Sequence, residues 1–261
     1  MAVAHVKSAA GSNSTAGTPN DIGIVGAIPD TTKNASFSYT ASATGNAVFF
    51  LINWGANQTV TSPAVTLSAT GWTLTQIGGL VNGGVAAGYV TFWWGFAPNT
   101  SATTFHAVAT GTTSATGAFW AAIVDEFSGT DNSNPVDNSN QGTGSGTPTV
   151  SITPVASNCG ILVATTDSVT AVGAIGGTTA TKGGDDGSAD WSEYRILTGG
   201  AGVAQSCTFT GSGSYSIGVV SVKPAGVGPT IGSVPSGTAL TVPAFSAKFL
   251  FFDNGDFSTG S

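Results

Sequence analysis

Residues 46–53 of the chain are Asn-Ala-Val-Phe-Phe-Leu-Ile-Asn, and residues 147–153 are Thr-Pro-Thr-Val-Ser-Ile-Thr. The second stretch alternates apolar and hydroxyl side chains, which is typical of a strand with one buried and one solvated face. The first stretch is apolar on both faces, which is typical of a strand that is covered on both sides. Together they predict a sheet protein with at least one buried central strand.

Similar segments, rich in β-branched and aromatic residues, recur along the chain between clusters of Gly, Asn, Asp and Ser. Segments 119–124 and 160–164 are also apolar on both faces, so we expect them to be central or covered strands. No window has a helical period over three turns with caps. About a dozen short strands with Gly-rich turns predict an all-β fold, an antiparallel β-sandwich that is jelly-roll-like. The predicted strands are 35–40, 46–53, 63–68, 72–77, 87–95, 103–109, 117–127, 147–153, 158–166, 191–197, 203–210 and 215–223.

The two ends differ from the middle, so we expect three regions: an N-terminal arm (1–34), a β-sandwich domain (35–225), and a linker with a C-terminal hairpin for assembly (226–261). The Asn254-Gly255 pair after an apolar run is a strong hairpin signal. A hairpin this apolar is not stable alone in water, so it docks on its own sandwich or, as we favour, on a neighbouring chain. The predicted assembly residues are Phe245, Phe249, Leu250, Phe251, Phe252 and Phe257.

Charge is scarce: 7% of the residues are charged, against about 25% in an average domain. A neutral surface costs little to desolvate, which favours contact with neighbouring molecules; a sparsely charged secreted or mineral-facing coat is the alternative. The formal net charge is −7 and the six basic residues are scattered, so we expect no nucleic-acid partner.

No apolar run approaches the about 18 residues that cross a bilayer, and Met1–Lys7 lacks the features of a signal peptide. We therefore expect no membrane partner and folding in a cytoplasm. Cys159 and Cys207 fall in predicted strands. They could pair if those strands are neighbours, but a reducing cytosol favours two buried free thiols.

Two pieces of sequence carry a resemblance: Glu126-Phe127-Ser128-Gly129-Thr130-Asp131 followed by Asn134-Pro135-Val136, and an apolar strand that ends in Lys223-Pro224-Ala225. With the strands around them, about two-thirds of the chain resembles a jelly-roll-like β-sandwich domain that recurs in tailed-phage virion proteins and some bacterial surface proteins. The resemblance implies the fold and a virion context, and it carries no catalytic motif.

Enzyme chemistry finds little support in the residues. His106 lies in a predicted strand with no second ligand nearby, so we expect a structural role, and no Gly-x-Ser-x-Gly elbow is present. The carboxylates at 125–126, 131–137 and 185–193 could include a glycosidase pair, but we expect solvated loop acids. The sequence therefore predicts a protein that is not an enzyme.

Two binding chemistries remain open. Oxygen-rich turns could hold calcium, although Asx turns explain the first group without metal, so no cofactor is predicted. Tryptophans could stack on sugars, but core or interface packing is favoured. Since neighbouring strand residues face opposite ways, one of Trp93 and Trp94 is expected in the core and the other outside or under a neighbour. The calcium candidates are Asp131, Asn132, Asn134 and Asp137, and Asp185, Asp186 and Asp190; the glycan or packing aromatics are Trp93, Trp94 and Trp191.

These observations lead to one expected function. The chain is expected to be a virion structural protein, a capsid decoration or surface subunit that docks on a shell and stabilises it. Its expected partners are capsid or other virion proteins and further copies of itself, with a trimer favoured. The expected location is the virion, after synthesis in the host cytoplasm. The alternative is a tail-fibre-type adhesin or carbohydrate-binding module.

Overall fold

The computed structural model describes residues 2–13, 21–26, 33–56, 58–112, 118–166, 169–186 and 190–226, and the structural statements below concern these ranges. The first half contains β1 (Ala4–Ser12), β2 (Val25–Gly26), β3 (Asn34–Tyr39), β4 (Ala47–Ala56), β5 (Thr61–Ala69), β6 (Thr75–Asn82), α1 (Gly84–Ala87), β7 (Tyr89–Phe96), β8 (Thr103–Thr112) and β9 (Ala118–Ser128). The second half contains β10 (Val136–Ser145), β11 (Thr149–Ile152), β12 (Gly160–Thr166), β13 (Val169–Ile175), β14 (Thr178–Thr179), β15 (Thr181–Asp185), β16 (Trp191–Ile196), β17 (Gln205–Gly211) and β18 (Ser214–Val222).

The strands form four antiparallel sheets, two in each half of the chain. In the first half, sheet A has the order β1-β9-β4-β7-β6 and sheet B the order β2-β3-β8-β5. In the second half, sheet C has the order β10-β18-β12-β16-β15 and sheet D the order β11-β17-β13-β14. The all-β, antiparallel prediction is therefore confirmed.

The two halves repeat one topology. Strands β1, β9, β4, β7 and β6 of sheet A correspond in order to β10, β18, β12, β16 and β15 of sheet C, and β3-β8-β5 corresponds to β11-β17-β13. In each half the chain passes repeatedly between two facing sheets, as in a jelly roll. A backbone hydrogen bond next to equivalent strands also repeats. Ala97 N, after β7, donates to Asn46 O, before β4, and Leu197 N, after β16, donates to Cys159 O, before β12, both at 2.9 Å. The chain is a tandem of two jelly-roll-like sandwiches.

Each sandwich has its own apolar core. Side chains from sheets A and B, including Phe37, Phe50 and Phe105, fill the first core. Side chains from sheets C and D, including Ile161 and Phe209, fill the second. Burial of this apolar area is the main stabilising term of each sandwich.

Sheets A and C pack against each other through their second faces. On β4, Val48 and Phe50 point into the first core, while Phe49 and Leu51 point toward sheet C. Leu162 of β12 belongs to the same seam cluster as Phe49. Consequently β4 and β12 are buried along their whole length. The prediction that 46–52, 119–124 and 160–164 are covered on both faces is confirmed.

The seam joins the halves in a reciprocal way. β1, the first strand of the first half, packs on β15 at the edge of sheet C. In the same way β10, the first strand of the second half, packs on β6 at the edge of sheet A. The molecule therefore has four layers in the order B, A, C, D. The A–C seam is a third apolar layer that neither sandwich has alone.

Two predicted boundaries differ from the structure. Residues 4–12, expected to lie in the arm, form β1 and pair with β9 from Ala4 to Ser12. Its small side chains, such as Ala9, Ala10 and Gly11, give little strand propensity, so its neighbours rather than its sequence determine its conformation. The predicted single sandwich is two stacked sandwiches in one compact unit that ends at Gly226. The predicted linker and hairpin, from residue 227 onward, lie outside the described residues. Within those ranges no helix is long and apolar enough to cross a membrane.

Candidate functional site

The segment between β9 and β10, residues 129–135, connects the two sandwiches and is held by a dense set of local bonds. Asp131 Oδ1 accepts hydrogen bonds from Ser133 N at 2.9 Å, Ser133 Oγ at 2.6 Å and Asn134 N at 3.2 Å. Its Oδ2 pairs with Lys223 Nζ at 2.8 Å. The bond from Lys223, followed by those from Ser133 and Asn134, holds the pKa of the Asp131 carboxyl well below its usual range. The segment is thus a fixed turn.

The same segment pairs with the residues that follow β18. Asp131 N donates to Lys223 O at 3.0 Å, Lys223 N donates to Pro135 O at 2.7 Å, and Ala225 N donates to Gly129 O at 2.8 Å. The two pieces of sequence singled out above, 126–136 and 223–225, therefore lie side by side. Their structural role is to fasten the last strand of each jelly roll to the other.

Two open grooves flank this connecting segment. The Trp94 groove, of about 430 Å³, lies between β6, β10 and residues 133–136. The Phe96 groove, of about 550 Å³, lies between the β3–β4 loop and residues 128–132. Trp94 and Phe96 project from the same face of β7 with their rings edge to face, 5.3 Å between centroids. Both are open surface grooves rather than enclosed cavities.

The six tryptophans differ in what happens to the indole N–H. In Trp54, Trp72, Trp120 and Trp191 it is buried without a hydrogen-bond partner. Trp93 Nε1 donates to Thr91 Oγ1 at 2.9 Å. Only the N–H of the half-buried Trp94 neither donates within the described chain nor lies buried, so it faces solvent.

The three predicted aromatics therefore separate. Trp93 packs against the first core, while Trp94 lies at the edge of the A–C seam, so the prediction that they face opposite ways is confirmed. The ring of Trp191 is covered by Lys182 Nζ, 4.6 Å from its centroid. Trp94 is the one of the three whose position suits a binding platform. Sequence reasoning missed Phe96 and the polar groups around it, which come from segments far apart in the chain.

The adjacent acids Asp125 and Glu126 point to opposite faces of β9. Glu126, which is fully buried, accepts hydrogen bonds from Tyr39 Oη at 2.7 Å, Asn46 Nδ2 at 2.6 Å and Ser42 N at 2.9 Å. Burial raises the pKa of Glu126, but the bonds from Asn46, Tyr39 and Ser42 outweigh it, so the pKa lies below its ordinary value. Because a substrate cannot reach both carboxylates, this pair cannot act as glycosidase acid and nucleophile.

Asp125 faces the seam with His5 and Ser8. His5 Nε2 lies 3.0 Å from Asp125 Oδ1 and 2.9 Å from Ser8 Oγ, and Ser8 Oγ donates to the same carboxylate oxygen. A hydrolytic triad needs the acid on one ring nitrogen and the serine on the other, so the geometry is not a triad. The His5 ring stacks on Tyr194 of β16 at 3.9 Å between centroids. The cluster joins sheets A and C.

The other acids also have structural contacts. The expectation of solvated loop acids is wrong for several of them, because Asp125, Glu126, Asp186, Asp190 and Glu193 are buried. Asp190 accepts a hydrogen bond from Asn53 Nδ2 of β4 at 3.1 Å, across the seam. Both oxygens of Glu193 lie within 2.9 Å of Gly173 N. Burial raises the pKa of Glu193.

The predicted calcium groups are used within the chain. Asp131 makes the Asx turn described above, Asp137 accepts backbone bonds from Val155 and Ala156, and Asp185 pairs with Lys182. Within the described ranges no three His, Cys, Asp or Glu side chains are grouped to hold a metal ion. His106, expected to be structural, lies exposed on the outer face of sheet B between Ser36 and Ser68.

Cys159 and Cys207 are both free and buried. Burial, with the nearby Asp137 carboxylate, raises the pKa of Cys159 to about 11, and burial raises that of Cys207 to about 12. Of the two open alternatives, the free thiols are confirmed. The predicted assembly residues Phe245, Phe249, Leu250, Phe251, Phe252 and Phe257 lie outside the described residues.

Comparisons with known proteins add no relative. No family model matches the chain, and neither a curated protein nor a solved structure matches it.

Proposed function

We propose that this chain is a structural, non-enzymatic subunit of a phage-type virion surface that docks on a shell and on copies of itself. The observation that carries the proposal is that the described basic side chains all have partners within their own chain. Each described lysine and arginine contacts its own chain, through a carboxylate, a backbone oxygen or an aromatic ring. The contacts are Lys7 with Thr40 O and the Tyr39 ring, Lys33 with Gly111 O and the Trp54 ring, Lys182 with Asp185, Arg195 with Ile175 O, and Lys223 with Asp131.

The exposed strand positions described on the two outermost sheets, B and D, are neutral. On sheet B the exposed side chains include Thr66, Ser68 and Thr104, and on sheet D they include Thr149 and Ser206. Desolvating hydroxyl groups costs less than desolvating charges, and the cores of protein interfaces are depleted in charged residues. Such faces suit close packing beside other subunits.

The fold adds support by analogy. Jelly rolls occur in viral capsid proteins and in lectins, so the topology is compatible with either context, and fold alone does not assign function. The sequence resemblance to tailed-phage virion proteins favours the first context. In this proposal the subunit is made in the host cytoplasm and resides in the virion.

The C-terminal aromatic segment supplies the proposed contact. Phe245, Phe249, Phe251 and their neighbours form an apolar run that would bury area worth about 25 cal/mol per Å² on a neighbour. A trimer is the favoured self-assembly, and a shell protein is the second partner.

A variant series tests this proposal. The double change Phe249→Ser with Phe251→Ser should weaken self-association of the full chain at least about tenfold, a loss of 1.4 kcal/mol or more, as measured by sedimentation velocity over a concentration series. Thr66→Lys on sheet B and Thr208→Lys on sheet D test the outer faces. Each adds a charge that would lose its water when another subunit packs on that face, so each should weaken self-association. Val85→Ser, at an exposed apolar residue of the short helix, is the matched control. Unchanged association in all three test variants would overturn the proposed contacts.

A further inference from the structure

We propose that the Trp94 groove binds a neutral oligosaccharide. The inference is independent of the assembly role, because the groove belongs to the described unit and uses none of residues 227–261. It gives the alternative function, carbohydrate binding, a specific site and a ligand class.

The first observation is the state of Trp94. A pyranose presents an apolar C–H face and a rim of hydroxyls, so its usual partner is an aromatic face with polar groups around it. Trp94 is half-buried, held on one side by the seam cluster, and its N–H faces solvent. The ring is therefore held by packing, and its indole N–H has no hydrogen-bond partner among the described residues.

The second observation is the chemistry of the groove walls. Hydroxyl and amide side chains surround the indole, and no described lining residue is charged. The polar lining residues are Thr75, Gln76, Ser133, Asn134 and Ser139. Thr75 pairs directly with Trp94 across strands β6 and β7. Phosphate, sulfate and carboxylate ligands are normally met by Arg or Lys, so this lining selects neutral hydroxyl groups.

The third observation is that polar side chains of the walls are already held by hydrogen bonds within the chain. The oxygen of Asn134 accepts from Val136 N at 3.0 Å, which fixes the side chain and leaves its amide N–H groups unused among the described residues. On the opposite wall, β6 is irregular between Ile77 and Val81, and Gln141 of β10 holds it by donating to Ile77 O at 2.9 Å. Pre-formed polar groups reduce the entropy cost of binding.

The neighbouring Phe96 groove extends the site. Phe96 projects two residues along β7 from Trp94, and the two ring centroids lie 5.3 Å apart, so the two rings form one continuous aromatic surface. Its lining is also uncharged and includes Asn46, Thr130 and Asn132. The ligand is therefore a chain of sugars rather than a single ring, with one ring on Trp94 and the next residues toward Phe96.

Chemical footprinting of the unmodified full-length chain tests the inference. N-bromosuccinimide oxidises accessible indoles, and mass spectrometry of the peptides locates the modified tryptophan. Trp94 should react first of the six, and cellohexaose, maltohexaose or chitohexaose at about 10 mM, well above a millimolar Kd, should protect it. Hexagalacturonate is the acidic comparison. Protection by none of the neutral hexasaccharides, or by hexagalacturonate alone, would overturn the inference.

Titration calorimetry with the protecting hexasaccharide assigns the residues. Trp94→Ala should weaken binding at least about tenfold. Asn134→Asp keeps the turn oxygen but removes the amide donor, so it should weaken binding by a smaller factor. Trp191→Phe, an aromatic change at a ring covered by Lys182, is the matched control and should bind as the unmodified chain does. Equal affinity of Trp94→Ala and Trp191→Phe would contradict the assignment.

Discussion

Glu126 and Asp137 hold equivalent loops in the two jelly rolls. Glu126 accepts a hydrogen bond from the backbone N–H of Ser42, in the loop between β3 and β4, and Asp137 accepts one from that of Val155, in the loop between β11 and β12. Each acid also contacts the residue just before the next strand: Asn46 for Glu126, and Cys159 for Asp137. A buried or half-buried carboxylate that ties down this loop is therefore a shared device of the tandem fold, although it comes from different strands.

The first prediction concerns Glu126 and acid stability. Because its pKa is lowered in the folded state, the unfolded chain binds the proton more readily, so this contribution to stability is present above the ordinary value of 4.5 and is lost as pH falls below it. Glu126→Gln should remove this part of the acid sensitivity and cost about 1–3 kcal/mol at neutral pH. Urea unfolding of both proteins between about pH 3 and pH 7 measures the free energy of unfolding. Parallel pH profiles of the two proteins would contradict the prediction.

The second prediction has the opposite sign and concerns Glu193. Burial raises its folded-state pKa, so the folded chain holds the proton more tightly, and this residue's contribution to stability decreases as pH rises above 4.5. Glu193→Gln should therefore gain stability relative to the unmodified chain as pH rises from acid to neutral. The same urea series checks the direction, and a difference that shrinks with rising pH would show that the assigned sign is wrong.

The third prediction tests the A–C seam. A Cβ added at Gly218 of β18 would lie 2.4 Å from the Phe92 ring of β7 across the seam. Gly218→Ala should therefore destabilise the protein by about 1–3 kcal/mol through overpacking. Gly142→Ala, at a β10 glycine with nothing within 4 Å of the added carbon, is the control and should stay within about 0.5 kcal/mol. Thermal unfolding compares them, and equal effects would argue against close packing of the two sandwiches.

The fourth prediction concerns the thiols. Reactivity requires the thiolate, and burial raises the pKa of Cys159 to about 11 and that of Cys207 to about 12. A disulfide reagent at mildly alkaline pH should therefore titrate neither thiol in the folded chain and both after unfolding in guanidinium. Rapid reaction of either thiol in the native protein would contradict the buried positions.

The pattern of apolar and polar residues predicted those parts of the fold that depend on residues close together in sequence. The apolar run at 46–52 and the opposite orientation of Trp93 and Trp94 follow from the two-residue period of a strand, which needs no tertiary information. The tandem arrangement was not predicted, because equivalent positions carry unlike side chains: Ser42 corresponds to Val155, and Asn46 to Cys159. What repeats is the hydrogen bond from the backbone N–H of Ser42 or Val155 to a carboxylate, and a backbone N–H donor does not depend on the side chain.

The site was only partly predictable for a related reason. Asp125 and Glu126 looked like solvated acids because their partners His5 and Asn46 are 120 and 80 residues away in sequence. Trp94 was identified as an aromatic of interest, but its groove is assembled from β6, β7, β10 and the segment 129–135. No spacing rule connects these segments before the two jelly rolls are stacked.

The central claim, that this weakly charged tandem is completed by neighbouring molecules, is tested most directly by the mass of the unmodified full-length chain in solution. Sedimentation velocity at micromolar concentration should show species well above the 25.6 kDa of one chain, with a trimer favoured. A single, compact species of one chain at every concentration would contradict the claim.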